Sequence, residues 1–256
     1  MLKIHHIRNA TMLIETEKAV ILIDPMLGEQ GIMPPFTLFR HKARKNPTVA
    51  LPKNTTSLLQ KVTHCLITHR HPDHLDTAGI RFLINNNIPV ICSIKDKNIL
   101  QKKGLHIVQA LKYWEKQSFL GGTIEGIPAK HGYGFIAKPM GNVIGFYVKL
   151  PNKKSIYLSS DTIYTAAVAK VLKEYKPEIS VLASGAAQFD VFKHLIMNVD
   201  DILKFIKNSS GKVIANHLEA VNHCSLTRKK LRNILIEHKV TTQVLIPEDG
   251  EVMVID

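Results

Sequence analysis

An apolar run from Val62 to Ile67 ends at Thr68, and the chain continues His69-Arg70-His71-Pro72-Asp73-His74-Leu75-Asp76. The run reads as a buried β-strand, so the fold must carry three imidazoles and a carboxylate in one short loop at a strand end. Imidazole nitrogen and carboxylate oxygen are the donors that hold Zn²⁺, and also Mn²⁺ or Fe²⁺, without thiolate. His69 and His71 lie two apart, so an extended backbone points both rings the same way. Pro72 then fixes φ and turns the chain, which lets Asp73 and His74 face a second point nearby. One loop thus offers ligands to two adjacent ions.

Other strand-like runs finish on matching partners. Thr123–Lys130 leads into His131, Ser155–Ser160 into Asp161, and Lys212–Asn216 into His217. The run Ala19–Ile23 ends at Asp24-Pro25, where a carboxylate can fix the orientation of a ligand. In sheet proteins, sites are assembled where strands end. The recurrence of a candidate ligand at each of these ends therefore marks one convergent site.

The order of these residues resembles the metallo-β-lactamase superfamily along the whole chain. The His-x-His-x-Asp-His signature falls on His69, His71, Asp73 and His74, followed by an isolated His131, a bridging Asp161 and a final His217. The segments Ala10–Ile14, Ile21–Leu27, Ser160–Tyr164, His217–Cys224 and Ile246–Gly250 look like the group that contains ascorbate-6-phosphate lactonase-like hydrolases. The resemblance implies two divalent metal ions, zinc foremost with manganese or iron as alternatives. His69, His71 and His131 would hold one ion, and Asp73, His74 and His217 the other, with Asp161 between. Two such ions share a water and lower its pKa, and the hydroxide attacks a carbonyl or phosphoryl centre. Asp73 is the candidate for a further catalytic role, orienting the hydroxide or passing a proton to the leaving group. Two positions depart from the group's pattern. Asn9 stands where many relatives carry His. Ser160 stands where others have Gly, a change that is tolerable if the backbone there avoids positive φ.

Strand-like and helical stretches alternate. Helices are predicted over Thr77–Asn86, Asp96–Lys103, Thr165–Tyr175, Val199–Lys207 and Thr227–His238. In the last, Leu231 and Leu235 form the inner stripe and Arg228, Lys229, Lys230 and Arg232 read as a solvated face. With the resemblance, this gives an α/β fold, an αββα sandwich of two mixed sheets with helices on the outer faces. Residues 1–256 read as a single hydrolase domain, since the length suits one core and no linker composition interrupts it. Gly28–Pro52, with Pro34, Pro35, Pro47 and Pro52, reads as a long loop over the site.

No signal-peptide pattern opens the chain, and no apolar run approaches the roughly 20 residues that span a bilayer. Its three cysteines show no pairing pattern, which suits a cytoplasmic setting. The formal charge of +13 is spread along the chain rather than gathered on an added domain. That disfavours nucleic acid and suits a small anionic substrate drawn in by the field. Homo-oligomerisation is left open. Cys224 reads as a buried thiol rather than a nucleophile. His223, six residues past His217, is a candidate for contact with the substrate or with a ligand, and Tyr133, Tyr164, Asn9 and Lys193 are weaker pocket candidates. The expected chemistry is hydrolysis of a lactone or related ester of an anionic small molecule. The alternatives are a metal-dependent phosphodiesterase and a binding module that keeps the fold without turnover.

Overall fold

The computed structural model describes residues 2–151 and 154–255. The chain first lays down β1 (Leu2–Arg8), β2 (Thr11–Glu15), β3 (Val20–Ile23), β4 (His64–Leu66), β5 (Val90–Ser93) and β6 (Ile107–Leu111). It then builds β7 (Lys116–Phe119), β8 (Gly122–Pro128), β9 (Ile144–Lys149), β10 (Ser155–Leu158), β11 (Ile179–Ala183), β12 (Lys212–Asn216) and β13 (Val244–Leu245). Finally β14 (Val252–Ile255) returns to pair antiparallel with β1. Among the described residues these form two seven-stranded sheets, ordered β14-β1-β2-β3-β4-β5-β6 and β13-β12-β11-β10-β9-β8-β7. Both are mixed: β3 to β6 and β10 to β13 are parallel, while the remaining pairs are antiparallel.

Strands in such a sandwich are buried on both faces, and their sequences show it as near-continuous apolar runs. Ile4, Met12, Ile14, Ile21, Ile23, Leu66 and Ile91 of the first sheet meet Ile124, Phe146, Val148, Ile156, Leu158, Val181 and Ile214 of the second in a shared core. The intervening residues Leu13, Leu22, Cys65, Val90 and Cys92 face outward. They pack with Leu83 of α2 (Thr77–Asn85) and Leu100 of α3 (Lys97–Lys102), after the short α1 (Thr55–Leu59). On the other side, Ile127, Tyr157, Leu182, Val213 and Ala215 lie under Val168 of α4 (Ala166–Lys170). The same layer takes Ile202, Phe205 and Ile206 of α5 (Val199–Asn208), and Leu231 and Leu235 of α6 (Arg228–Glu237). The αββα layering expected from the sequence is the observed one.

The elements β7, β13 and α1 had no readable signal. In β7, Lys-Gln-Ser-Phe pairs only with β8 and buries only Phe119, so it carries no alternation. The two-residue β13 and the five-residue α1 are too short for any period to show. The helix predicted over Thr165–Tyr175 is α-helical only to Lys170, and Val171–Tyr175 winds as a π-turn ending at Lys176 with φ +47°.

Arg228 is not on a solvated face. Its side chain is buried and donates to Glu219 Oε2 (2.8 Å), Asp249 Oδ1 (2.6 Å) and Pro247 O (2.8 Å). The helical period placed it outside, but it is the first residue of α6, where the side chain reaches past the helix end into the 246–250 turn. His6 joins the network at 3.3 Å from Asp249. Asp249 is partly buried, which opposes ionisation, yet the bonds from His6 and Arg228 hold its carboxyl below the ordinary value. A depressed carboxylate contributes stability above its unfolded pKa of about 4, and that stability is lost as pH falls through the lower folded value. Removing one partner of such a buried cluster leaves the others uncompensated. We therefore expect Arg228→Ala to destabilise the fold by about 3 kcal/mol in urea titrations near neutral pH, and a change below about 0.5 kcal/mol would show that the network is not structural.

Candidate metal centre

Because β9 runs antiparallel to both β8 and β10, the strands β8, β10 and β12 all point the same way. β1, β3 and β4 share a direction for the same reason. The carboxyl ends of the first set deliver His131, Asp161 and His217, and those of the second deliver Asn9, Asp24 and the 69–74 loop. The two sheets are joined at this end by Ile144 N donating to Thr68 O at 3.0 Å. Asp76 finishes the loop as the N-cap of α2, accepting from Gly79 N (2.7 Å) and Gly28 N (2.6 Å).

The expected ligands come together in two groups. His69, His71 and His131 form one, and Asp73, His74, Asp161 and His217 the other. Within each group, one donor atom per residue lies within 4.8 Å of all the others. Asp161 reaches both: Oδ2 is 3.4 Å from His131 Nε2 and 3.5 Å from His217 Nε2, while Oδ1 is 3.3 Å from His74 Nε2. Asp73 Oδ2 is 3.2 Å from His217 Nε2.

Hydrogen bonds fix which nitrogen faces inward in four of the five rings, those of His69, His74, His131 and His217. Asp24 accepts from Thr68 N (2.8 Å), Thr68 Oγ1 (2.6 Å) and His74 Nδ1 (2.8 Å). With its proton on Asp24, the Thr68 hydroxyl accepts from His69 Nδ1 at 3.0 Å. His131 Nδ1 donates to Leu195 O at 2.8 Å. The Cys224 thiol lies 3.4 Å from both His217 O and His217 Nδ1, so it donates to the carbonyl and accepts from the ring. Gly185 permits this approach, since a Cβ there would collide with the His217 carbonyl and the thiol. In all four rings Nδ1 is tied to protein and Nε2 is left toward the centre. His69 Nε2, His74 Nε2, His217 Nε2 and Asp161 Oδ1 are buried without a hydrogen-bond partner among the described residues.

Buried polar atoms without partners are costly, and several at one point imply a ligand that satisfies them together. Burial pushes His69 and His71 down, helped by neighbouring imidazoles, with His71 at about 4. Burial works against His74 as well, but Asp161 and Asp24 outweigh it and drive that ring up to about 10. Burial opposes ionisation of Asp73 and Asp161, yet the surrounding imidazoles hold both carboxyls well below the usual range. The carboxylates thus demand positive charge, which protons supply in the metal-free protein and a divalent cation would replace. An all-nitrogen-and-oxygen donor set fits zinc, manganese or iron.

Comparison with known proteins agrees with this geometry. Residues 20–215 match the family described as the Beta-lactamase superfamily domain. The chain belongs to that superfamily. Within it, the UPF0173 protein YddR of Bacillus subtilis (strain 168) is 32% identical over 252 residues, 98% of each chain. An isothiocyanate hydrolase from Delia radicum gut bacteria superposes with a TM-score of 0.89 at 32% identity, covering 99% of each chain. A possible metal-dependent hydrolase of Veillonella parvula DSM 2008 gives 0.91 at 29% identity over the same share. The chain is a metal-dependent hydrolase of this superfamily, and the seven side chains are its candidate metal-binding group.

Beside the centre, Phe36, His71, Pro72, Asp73, His131, Met140, Asp161, Phe189 and His223 line a cavity of about 250 Å³. Neither lysine nor arginine is among them. Phe36, Met140 and Phe189 come from loops, where a lone apolar residue has no spacing to announce it. Asn9 is fully buried and does not line the cavity. Its amide donates to Asp73 O (3.0 Å), and its carbonyl accepts from His217 N (2.9 Å), so it braces two ligand segments. Ser160 does adopt a positive φ of +59°, contrary to the condition set by the sequence. The turn that aims Asp161 inward needs the left-handed region, and serine occupies it at a cost of about 1 kcal/mol. Tyr133 and Tyr164 converge instead on Asp201, through the Tyr133 hydroxyl and the Tyr164 amide, and Lys193 is exposed.

The Gly28–Pro52 loop does reach the site, and it is firmly tied. Arg8, fully buried, donates to Met26 O (3.0 Å), Val49 O (2.9 Å) and Gly28 O. Asn222 accepts from Phe36 N (2.8 Å) and donates to Thr37 O (2.8 Å). The role given to Asp24 is open to direct test. Asp24→Asn should retain the fold but weaken zinc binding by roughly 10–100-fold, measured by competition with a chromophoric chelator, and unchanged affinity would show that ring orientation is set elsewhere.

Proposed function

We propose that the chain hydrolyses a small carbon electrophile with two divalent cations, zinc by preference and manganese or iron as substitutes. His69, His71 and His131 hold one, Asp73, His74 and His217 the other, and Asp161 reaches both. The observation that carries this reading is the buried, unpartnered Nε2 atoms of His69, His74 and His217 and Asp161 Oδ1, brought together at one centre. When bound, the cations supply a water of lowered pKa and a Lewis-acidic contact for substrate oxygen or sulfur. The protein's own contribution is positional. Asp24, Thr68, Leu195 and Cys224 lock the imidazoles, and Asn9 braces Asp73. Asp73 borders the cavity with its carboxylate beside His217. There it orients the attacking water and passes its proton to the leaving atom.

Two substrate classes suit this arrangement. In a lactone or ester, water's oxygen adds to the carbonyl carbon, the acyl–oxygen bond breaks, and the proton goes to the leaving oxygen. In an isothiocyanate, the oxygen adds to the central carbon as the C=N π bond opens and nitrogen takes a proton. The resulting thiocarbamic acid breaks its C–N bond, its S–H proton going to nitrogen, to release an amine and carbonyl sulfide. The second class is supported by the likeness to the isothiocyanate hydrolase over 99% of both chains. It is also supported by the uncharged aromatic lining beyond the ligands. The anionic substrate suggested by the net charge would find no cationic side chain in that lining and would rely on the metals alone.

The test is hydrolysis by the reconstituted chain of matched lactone, aryl ester, isothiocyanate and phosphodiester panels, across an ionic-strength series. We expect turnover of uncharged carbon electrophiles, insensitive to salt, lost on chelation and restored by zinc. Turnover confined to phosphodiesters would transfer the chain to the phosphodiesterase reading, and turnover of nothing would favour a binding module.

A further inference from the structure

His223 belongs to none of the ligand groups, yet it is buried against them. It follows Asn222, the residue that ties down the Phe36 loop, and its own carbonyl accepts from Gln188 N at 3.0 Å. The strap holding Phe36 and the strap holding Phe189 therefore meet on this residue. The Phe36 ring stands edge-on to the imidazole, with centroids 5.1 Å apart and planes at 85°. The Phe189 ring lies nearly parallel to it at 5.8 Å and 21°. The His217 ring is 6.3 Å away. Only 4% of His223 is exposed, and its Nδ1 has no hydrogen-bond partner among the described residues.

The cavity gives this arrangement its meaning. Of the residues lining it, the candidate metal ligands account for His71, Asp73, His131 and Asp161, and Phe36, Pro72, Met140 and Phe189 offer only apolar surface. Among the described residues, His223 is the remaining member of the lining and the one further side chain there able to hydrogen-bond. Enclosed between the Phe36 and Phe189 rings, it places a hydrogen-bonding imidazole in an otherwise apolar setting. A hydrogen-bonding ring in an apolar slot recognises a neutral heteroatom well, because such a ligand brings no uncompensated charge out of water. A charged substituent in the same slot would lose its hydration without gaining a counter-ion.

We propose that His223 is a substrate-positioning residue that hydrogen-bonds a heteroatom of an uncharged substrate, while Phe36, Phe189 and Met140 receive the substrate's apolar or aromatic substituent. The inference rests on the reading of this cavity as the place where substrate meets the metal centre. It commits the site to uncharged, apolar-substituted compounds and gives His223 a direct part in choosing them.

The experiment compares the zinc-reconstituted chain with His223→Phe, which keeps an aromatic ring in the stack but has no donor, and His223→Gln, which keeps a donor. Metal content and thermal midpoint are measured for all three, so a folding defect is recognised as such. Equilibrium binding is read by calorimetry with phenylurea, an uncharged probe bearing one aryl group and one carbonyl, and with its carboxylated analogue 4-ureidobenzoate. We expect phenylurea to bind the wild type and His223→Gln comparably and His223→Phe on the order of tenfold more weakly. The carboxylated analogue should bind the wild type less tightly than phenylurea. With phenyl isothiocyanate as substrate, His223→Phe should lose a similar factor in kcat/KM with its metal retained. Equal binding by His223→Phe and wild type, tighter binding of the carboxylate, or no binding of phenylurea at all would overturn the inference. Failure of the wild type to hydrolyse phenyl isothiocyanate while these binding differences hold would count against the proposed reaction and leave the binding role of His223 standing.

Discussion

Two carboxylates and five imidazoles gathered at one buried point cannot be satisfied by one another. Each of four rings spends Nδ1 on a fixed protein acceptor, which leaves Nε2 pointing at the other rings and at Asp73 and Asp161. Protons relieve the carboxylates only by charging His74 and His217 beside two neighbours, His69 and His71, whose rings are held neutral. A cation bound by several donors at once resolves both demands. The rest of the molecule can be understood as the scaffold that keeps these groups from relaxing apart.

That scaffold works by direction. The ligand-bearing strands of each sheet run parallel to one another, and the shared core of Ile, Leu, Val and Phe side chains fixes one sheet on the other. A displacement of either sheet would separate His69, His71 and His74 from His131, Asp161 and His217. Loops add the second level of control. Arg8, Asp76 and Asn222 turn an irregular stretch of chain into a wall of the cavity, with hydrogen bonds made to backbone rather than to exposed side chains. The left-handed backbone of Asn9, Asp24, Ser160 and His217 belongs to the same economy of sharp turns at strand ends. Strain of this kind collects where geometry matters most.

The candidate ligands could be picked out of the sequence because metal chemistry restricts residue type and because strand ends announce themselves by the stop of an apolar run. The central strands were legible for the same reason: both their faces are buried, so they read as unbroken apolar segments, while their arrangement as a sandwich came from the resemblance. What escaped was decided by tertiary contact. Arg228 has the spacing of a solvent-facing residue and is buried only because the 246–250 turn folds back over the start of α6. Phe36, Met140 and Phe189 define the cavity from three separate loops, and nothing local distinguishes them from other scattered apolar residues. Asn9 suggested a contact with substrate and proved to be a brace between Asp73 and His217.

The central claim is that seven side chains serve two cations, and it is tested most directly by counting them. Protein stripped by chelator, reconstituted with zinc and freed of excess metal should contain close to two zinc ions per chain by elemental analysis, falling to about one in His217→Ala. One ion per chain in the unaltered protein, or two in the His217→Ala variant, would contradict the account.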